Sequence, residues 1–222
     1  MKKILVMAVH PDDETLGCGG ALLKHKAGGD RLYWLIATDE LKALGPRSPV
    51  IRRREGEIAR AAKAYGFADV FRLNLPARGV DTVPVGELVG KIAAVVNRVK
   101  PDTVYLPFHG DVHSDHRYFF QAAYSCLKAF RAPSIKTVLM METVSETEFA
   151  PSMKEDAFIP NYFVDISAYL GKKLRIMAIY RGEMRPHPFP RSVKNIRSLA
   201  AFRGAAAGCA SAEAFMLLKG IR

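Results

Sequence analysis

Six consecutive apolar residues, 4–9, run directly into His10-Pro11-Asp12-Asp13-Glu14. A run with no polar interruption does not suit a strand with one wet face, and six residues are too few for a buried helix. It fits a strand covered on both faces, as found inside a parallel sheet. Met1-Lys2-Lys3 precedes it as a charged leader precedes a signal-peptide core, but the run is too short for such a core and ends at a Pro-Asp turn.

The same pattern continues downstream. Residues 17–27 read as a helix closed by Gly28-Gly29, and 32–37 as a second buried strand. Residues 50–65 place Ile51, Ile58, Ala62 and Tyr65 at helical spacing, with Gly66 as the stop. A strand at 70–75, an amphipathic helix at 85–99 and a strand at 103–106 follow. A loop over 107–114 then opens a helix to about residue 130, and 137–141 is a further strand. Strands alternating with helices predict an α/β, Rossmann-like three-layer fold, its sheet mostly parallel and its active site at the carboxyl ends of the strands. Beyond residue 141 the pattern loosens. Residues 142–160 are acidic and irregular, 162–166 make a short strand, and 167–180 a helix. Residues 181–192 form a proline-rich loop, 193–206 a helix and 214–218 a last short element. With no repeat or linker, 1–222 reads as a single domain.

The 222 residues carry a formal charge of +11, unevenly placed. The last 51 hold 11 Lys+Arg against Glu183 and Glu213, while residues 1–171 are nearly neutral. Such a segment is either a solvated surface or an attraction for an anionic partner. Neither a glycine-aromatic RNA signature nor zinc-finger spacing is present, so nucleic acid is not expected. No apolar run is long enough to span a bilayer. Three cysteines, Cys18, Cys126 and Cys209, are odd in number and widely spaced, which points to a reducing cytoplasm.

Two segments concentrate metal and proton chemistry, His10–Glu14 and Asp111-Val112-His113-Ser114-Asp115-His116, each after a predicted parallel strand. If those strands are neighbours, the loops converge. His10 and Asp13 lie three apart across a turn held by Pro11, and His113 and His116 three apart at a helix start. His and Asp suit zinc and similar ions, and a site with open positions gives bound water a pKa near 7. Asp12, beside Asp13 but directed elsewhere, is placed to act as general base. A remaining histidine, such as His113 with Asp115 near it, can hold a proton for an oxyanion or a leaving amine. Together these roles describe metal-assisted hydrolysis of an amide or ester. Either segment alone is explained by a polar turn or a helix cap; two at separate strand ends are not, because unpaired charges are rarely buried.

These residues, Ala8-Val9-His10-Pro11-Asp12-Asp13-Glu14 with His113-Ser114-Asp115-His116, resemble the PIG-L/LmbE family of zinc-dependent N-acetyl-sugar deacetylases. Gly17-Cys18-Gly19-Gly20, Thr38-Asp39, Arg54-x-x-Glu57, Arg203-Gly204 and Ala212-Glu213-Ala214-Phe215 extend the resemblance over most of the chain. It implies that His10, Asp13 and His116 are the metal ligands and Asp12 the general base. It further implies that His113 stabilises the oxyanion or acts as acid, supported by Asp115, and that Arg54 lies near substrate. The chain departs from the family's pattern at Ala77-Arg78 after Leu75-Pro76, at Glu40 after Thr38-Asp39, and at Gly182-Glu183 in place of a Ser-Gln pair. All three lie in the family's substrate-facing regions, which implies retained chemistry on a different substrate.

The expected function is therefore removal of an acetyl or other acyl group from a small N-acylated amino sugar, anionic or nucleotide-linked, with Zn2+ as cofactor. Two His and one carboxylate also suit Fe2+. The alternatives are a non-catalytic sugar- or nucleotide-binding protein on the same fold, and an amide or ester hydrolase of a non-sugar metabolite. The glycines at 17–20 imitate a dinucleotide fingerprint, but residues 10–16 separate them from the strand, so the tight phosphate turn is missing.

Overall fold

The computed structural model describes residues 1–39 and 48–221; Glu40, one of the departures noted above, lies outside them. The apolar run becomes β1 (Lys3–Ala8), followed by α1 (Asp13–Ala27), β2 (Arg31–Asp39), α2 (Pro49–Tyr65) and β3 (Asp69–Pro76). Then come α3 (Val85–Val99), β4 (Thr103–Leu106), α4 (Ser114–Ser125) and β5 (Thr137–Met141). The chain ends through β6 (Tyr162–Asp165), α5 (Leu170–Met177), α6 (Val193–Ala207) and β7 (Ala212–Gly220).

The seven-stranded sheet has the order β3-β2-β1-β4-β5-β7-β6. β1 to β5 pair parallel, as the alternation predicts, with β1 directly beside β4 through Ile4↔Thr103 to Val6↔Tyr105. β7 runs antiparallel to β5, and β6 antiparallel to β7. The period of two in β1 sorts the core. Ile4, Val6 and Ala8 face α1, α2, α5 and α6, while Leu5, Met7 and Val9 face α3 and α4. Helices thus cover both faces, and the continuous apolar run is explained. Strand order reverses between β1 and β4, which opens the crevice where ligands bind in such sheets.

Helix ends differ from the sequence reading for local reasons. α1 begins at Asp13 rather than residue 17, and its backbone is non-helical at Cys18, where φ is −144°. α4 stops at Ser125, not near 130, because Ser125 Oγ and Cys126 Sγ both donate to the Ala122 carbonyl and the last turn tightens. α5 starts three residues late. Asp165 Oδ1 accepts from the backbone N–H and the hydroxyl of Ser167, holding 167–169 in a turn.

The glycines of α1 have a packing role. A Cβ on Gly17 would meet Met141 Cβ at 2.8 Å, and one on Gly20 would meet Ile166 at 2.6 Å. The Cys18 kink leaves the N–H groups of Gly20 and Ala21 without helical acceptors, and the Glu213 carboxylate of β7 takes both at 2.8 Å. Lys173 of α5, also buried, pairs with Glu213 at 2.7 Å. β7 therefore clamps the helix that starts at the His10–Glu14 segment.

Candidate active site at the carboxyl ends of two strands

The two polar loops do converge. His10 and Asp13 follow β1, and His116 lies in the first turn of α4. His10 Nδ1 and His116 Nε2 are 3.3 Å apart, His116 Nε2 and Asp13 Oδ2 3.3 Å, and His10 Nδ1 and Asp13 Oδ2 4.0 Å. Asp13 and His116 are buried and His10 is 14% exposed. Asp13 is held by the N–H groups of Val9 and His10, at 2.9 and 2.8 Å to Oδ2.

Each histidine is oriented by a carboxylate. His116 Nδ1 meets Asp111 Oδ2 at 2.8 Å, and Asp111 Oδ1 accepts from Thr147 Oγ1 at 2.6 Å. His10 Nε2 meets Asp115 Oδ2 at 3.3 Å. A ring N–H given to a carboxylate leaves the other nitrogen with its lone pair, so Nδ1 of His10 and Nε2 of His116 point lone pairs at one spot. With a carboxylate oxygen beside them, this donor set fits a divalent cation. The sequence reading assigned Asp115 to His113, but its carboxylate bonds to His10. Asp115 touches His113 through its backbone, the Asp115 N–H donating to His113 Nδ1 at 3.1 Å. Asp115 is itself fixed by the N–H groups of Arg78 (2.6 Å) and Val80 (3.1 Å), so the unusual Ala77-Arg78 loop reaches the centre through its backbone.

Asp12 is buried with φ at 138°, a conformation that stores strain in any residue but glycine. Its N–H donates to Glu14 Oε2 at 3.0 Å and its carbonyl accepts from Thr15 and Leu16. The side chain thus leaves the helix axis while Asp13 enters it. Burial, with Asp13 next door, pushes the Asp12 carboxyl up, and Arg191 opposes this. Burial also raises Asp13, but His116 and His10 outweigh it and hold that carboxyl below the usual range. Burial raises Glu14 to about 7 and Glu146 to about 7.

The His113 ring lies 4.7 Å from that of His10 and 5.7 Å from that of His116, at the same centre. Arg54, expected near substrate, is paired with Glu183 and lies 3.4 Å from Glu57, lining a crevice with Pro11 and Thr38. Three residues gain roles that spacing did not assign. Asp111 was visible in the motif but unassigned; Glu183 and Arg191 come from segments with no periodic signal. Arg191 Nη1 donates to both Asp12 Oδ2 and Glu183 Oε2, each at 3.0 Å. His109 packs against Phe108 and Phe120, away from the ligand set. Cys18 is a buried thiol that burial pushes up, as a packing residue should be.

Comparison with known proteins finds relatives in sequence and in fold. The diacetylchitobiose deacetylase of Thermococcus kodakarensis is 26% identical over 237 residues, covering 100% of this chain and 85% of its own. The crystal structure of the conserved protein TT1542 from Thermus thermophilus matches with a TM-score of 0.81 at 26% identity, over 100% of this chain and 97% of that one. GalB, the 4-carboxy-2-hydroxymuconate hydratase of Pseudomonas putida, shares the fold at a TM-score of 0.76 and 19% identity, covering 100% and 98%. The family profile described as GlcNAc-PI de-N-acetylase matches residues 5–127, which carry both polar loops and the strands that bring them together, and the chain belongs to the PIG-L family.

Proposed function

We propose that the protein is a metal-dependent hydrolase that removes the acetyl group from a small N-acetylated amino sugar. The observation that carries this reading is the convergence of His10 Nδ1, Asp13 Oδ2 and His116 Nε2 beside the buried Asp12. The deacetylase activity named for the Thermococcus relative supports the reaction class. A hydratase shares the same fold, so the reaction is read from the site and not from the fold.

His10, Asp13 and His116 would hold the cation, which we assign as zinc from the base and oxyanion histidine that accompany it; it would polarise the acyl carbonyl and acidify water. Asp12 takes the proton from the attacking water. Arg191 fixes Oδ2 of Asp12, which leaves Oδ1 for that proton. His113 Nδ1 accepts a backbone N–H, so a neutral His113 carries its proton on Nε2 and serves as oxyanion donor. Burial, then His10 and His116, lowers the His113 pKa, which favours that neutral form. Asp115 acts on His10 by orienting its ring.

An anionic extension of the substrate would be met by Arg185 and Lys194, which line a cleft of about 400 Å3 with His187 and Ser192. The free thiols of Cys18, Cys126 and Cys209 support a reducing compartment, and no helix among the described residues is long and apolar enough to cross a membrane.

Zinc-loaded protein incubated with N-acetylglucosamine and N,N'-diacetylchitobiose is expected to release acetate. No acetate from either sugar, with metal bound at one equivalent, overturns the amino-sugar reading and moves the protein toward a non-sugar amide or ester. Reversing charge at Arg185 and Lys194 together should raise KM for a phosphorylated substrate about tenfold; an unchanged KM removes the cleft as an anion site.

A further inference from the structure

The rim of the reaction centre carries an internal ion network of which the proposed chemistry uses only the contact between Arg191 and Asp12. Glu183, in the loop after α5, places Oε1 against Arg54 Nη2 of α2 and Oε2 3.0 Å from Arg191 Nη1. The same Arg191 nitrogen lies 3.0 Å from Asp12 Oδ2, so the Glu183 carboxylate is one guanidinium away from the proposed base. Side-chain exposures are 12% for Arg54, 20% for Glu183 and 23% for Arg191, so the three are largely withdrawn from water and interact strongly. Arg54 is also 3.4 Å from Glu57.

Two arginines beside a catalytic carboxylate would ordinarily form a receptor for a substrate phosphate or carboxylate. Here an anion of the chain already occupies that position. We propose that Glu183 is a specificity-determining residue that closes the rim between Arg54 and Arg191 to anionic groups and reserves it for neutral, hydroxyl-bearing parts of the substrate. This rests on the amino-sugar reading for the identity of that substrate, but not for the exclusion of anions. An anion entering the rim would face Glu183 and Asp12 with both guanidiniums already engaged, and like charges placed together repel. The anionic extension assigned above to Arg185 and Lys194 is then accepted only away from the reaction centre.

The test compares wild type with Glu183→Gln, which keeps the shape and removes the charge. Binding of inorganic phosphate is measured by calorimetry, and kcat/KM for N-acetylglucosamine and its 6-phosphate by acetate release. Glu183→Gln is expected to bind phosphate at least about tenfold more tightly than wild type, and Arg54→Ala in that background should abolish the gain. The ratio of kcat/KM for the phosphorylated over the neutral sugar should rise about tenfold, chiefly through KM. Unchanged phosphate affinity in a folded Glu183→Gln protein overturns the proposal, as does a gain that survives Arg54→Ala. If the Gln variant does not fold, Glu183→Ala, which removes charge and bulk together, is read by the same criteria. If neither sugar is hydrolysed, the amino-sugar reading fails, while the phosphate titration still decides the role of Glu183.

Discussion

Asp12 and Asp13 are neighbours in sequence with different proposed tasks, and the backbone at Asp12 separates them. Its φ of 138° turns one carboxylate toward Arg191, while Asp13 enters α1 and meets the two histidines. Asn keeps the size and shape of Asp and removes only the charge, so Asp12→Asn is a clean test. It should lower kcat by roughly 10²–10⁴ with stoichiometric metal retained, and activity near wild type would remove the base assignment. His113→Ala should cost about 10²–10³ in kcat as a lost oxyanion donor, plus about 1 kcal/mol of stability as the lost cap of α4. Asp115→Asn and Asp111→Asn should each weaken metal affinity about 10–100-fold, measured by competition with a chelator. An effect of Asp115→Asn on kcat alone would return that residue to His113. Motif spacing pointed to His10, Asp13 and His116, the proposed ligands, and the fold brings these three together. The partner of Asp115 was not legible, because proximity in the motif favoured His113 while the fold brought His10 closer.

Among the elements, α1 links the metal motif to the far end of the chain. Its kink at Cys18 creates a second helix start inside the protein, and Glu213 of β7 occupies it together with Lys173 of α5. Removing one member of a buried pair leaves an uncompensated charge, so Glu213→Ala should cost about 3–5 kcal/mol in urea unfolding. A loss below about 1 kcal/mol would show that the clamp is dispensable. The strands and the starts of α2 and α3 were readable because apolar spacing and turn residues agree there. The late start of α5 and the early stop of α4 were not, since each depends on a side chain competing for a backbone group.

For the whole molecule, the site joins loops that are about a hundred residues apart in the chain, so a cation held there would tie β1 to α4. Binding to the folded state alone stabilises by about 4 kcal/mol at roughly a thousandfold excess over Kd. For a chain of this size that corresponds to a fall of roughly 10 °C in unfolding temperature when a chelator strips the metal. His116→Ala should have the lower value with or without metal; a chelator-sensitive transition in that variant would sink its role as ligand.

The chain by itself determined the layered α/β plan and the residue types of the proposed ligands, because hydrophobic periodicity and strand-end motifs are local properties. Only the tertiary structure decided that β1 and β4 are neighbours, that Asp115 serves His10, and that Glu183 stands between Arg54 and Arg191. Most of those pairings join residues 99 to 129 positions apart, and no local pattern records them. The same holds for the charge. Its surplus in the last 51 residues was plain from composition, yet Arg191 is committed to carboxylates of the protein itself. Net charge counts side chains, whereas what a substrate meets depends on which of them the fold has already paired.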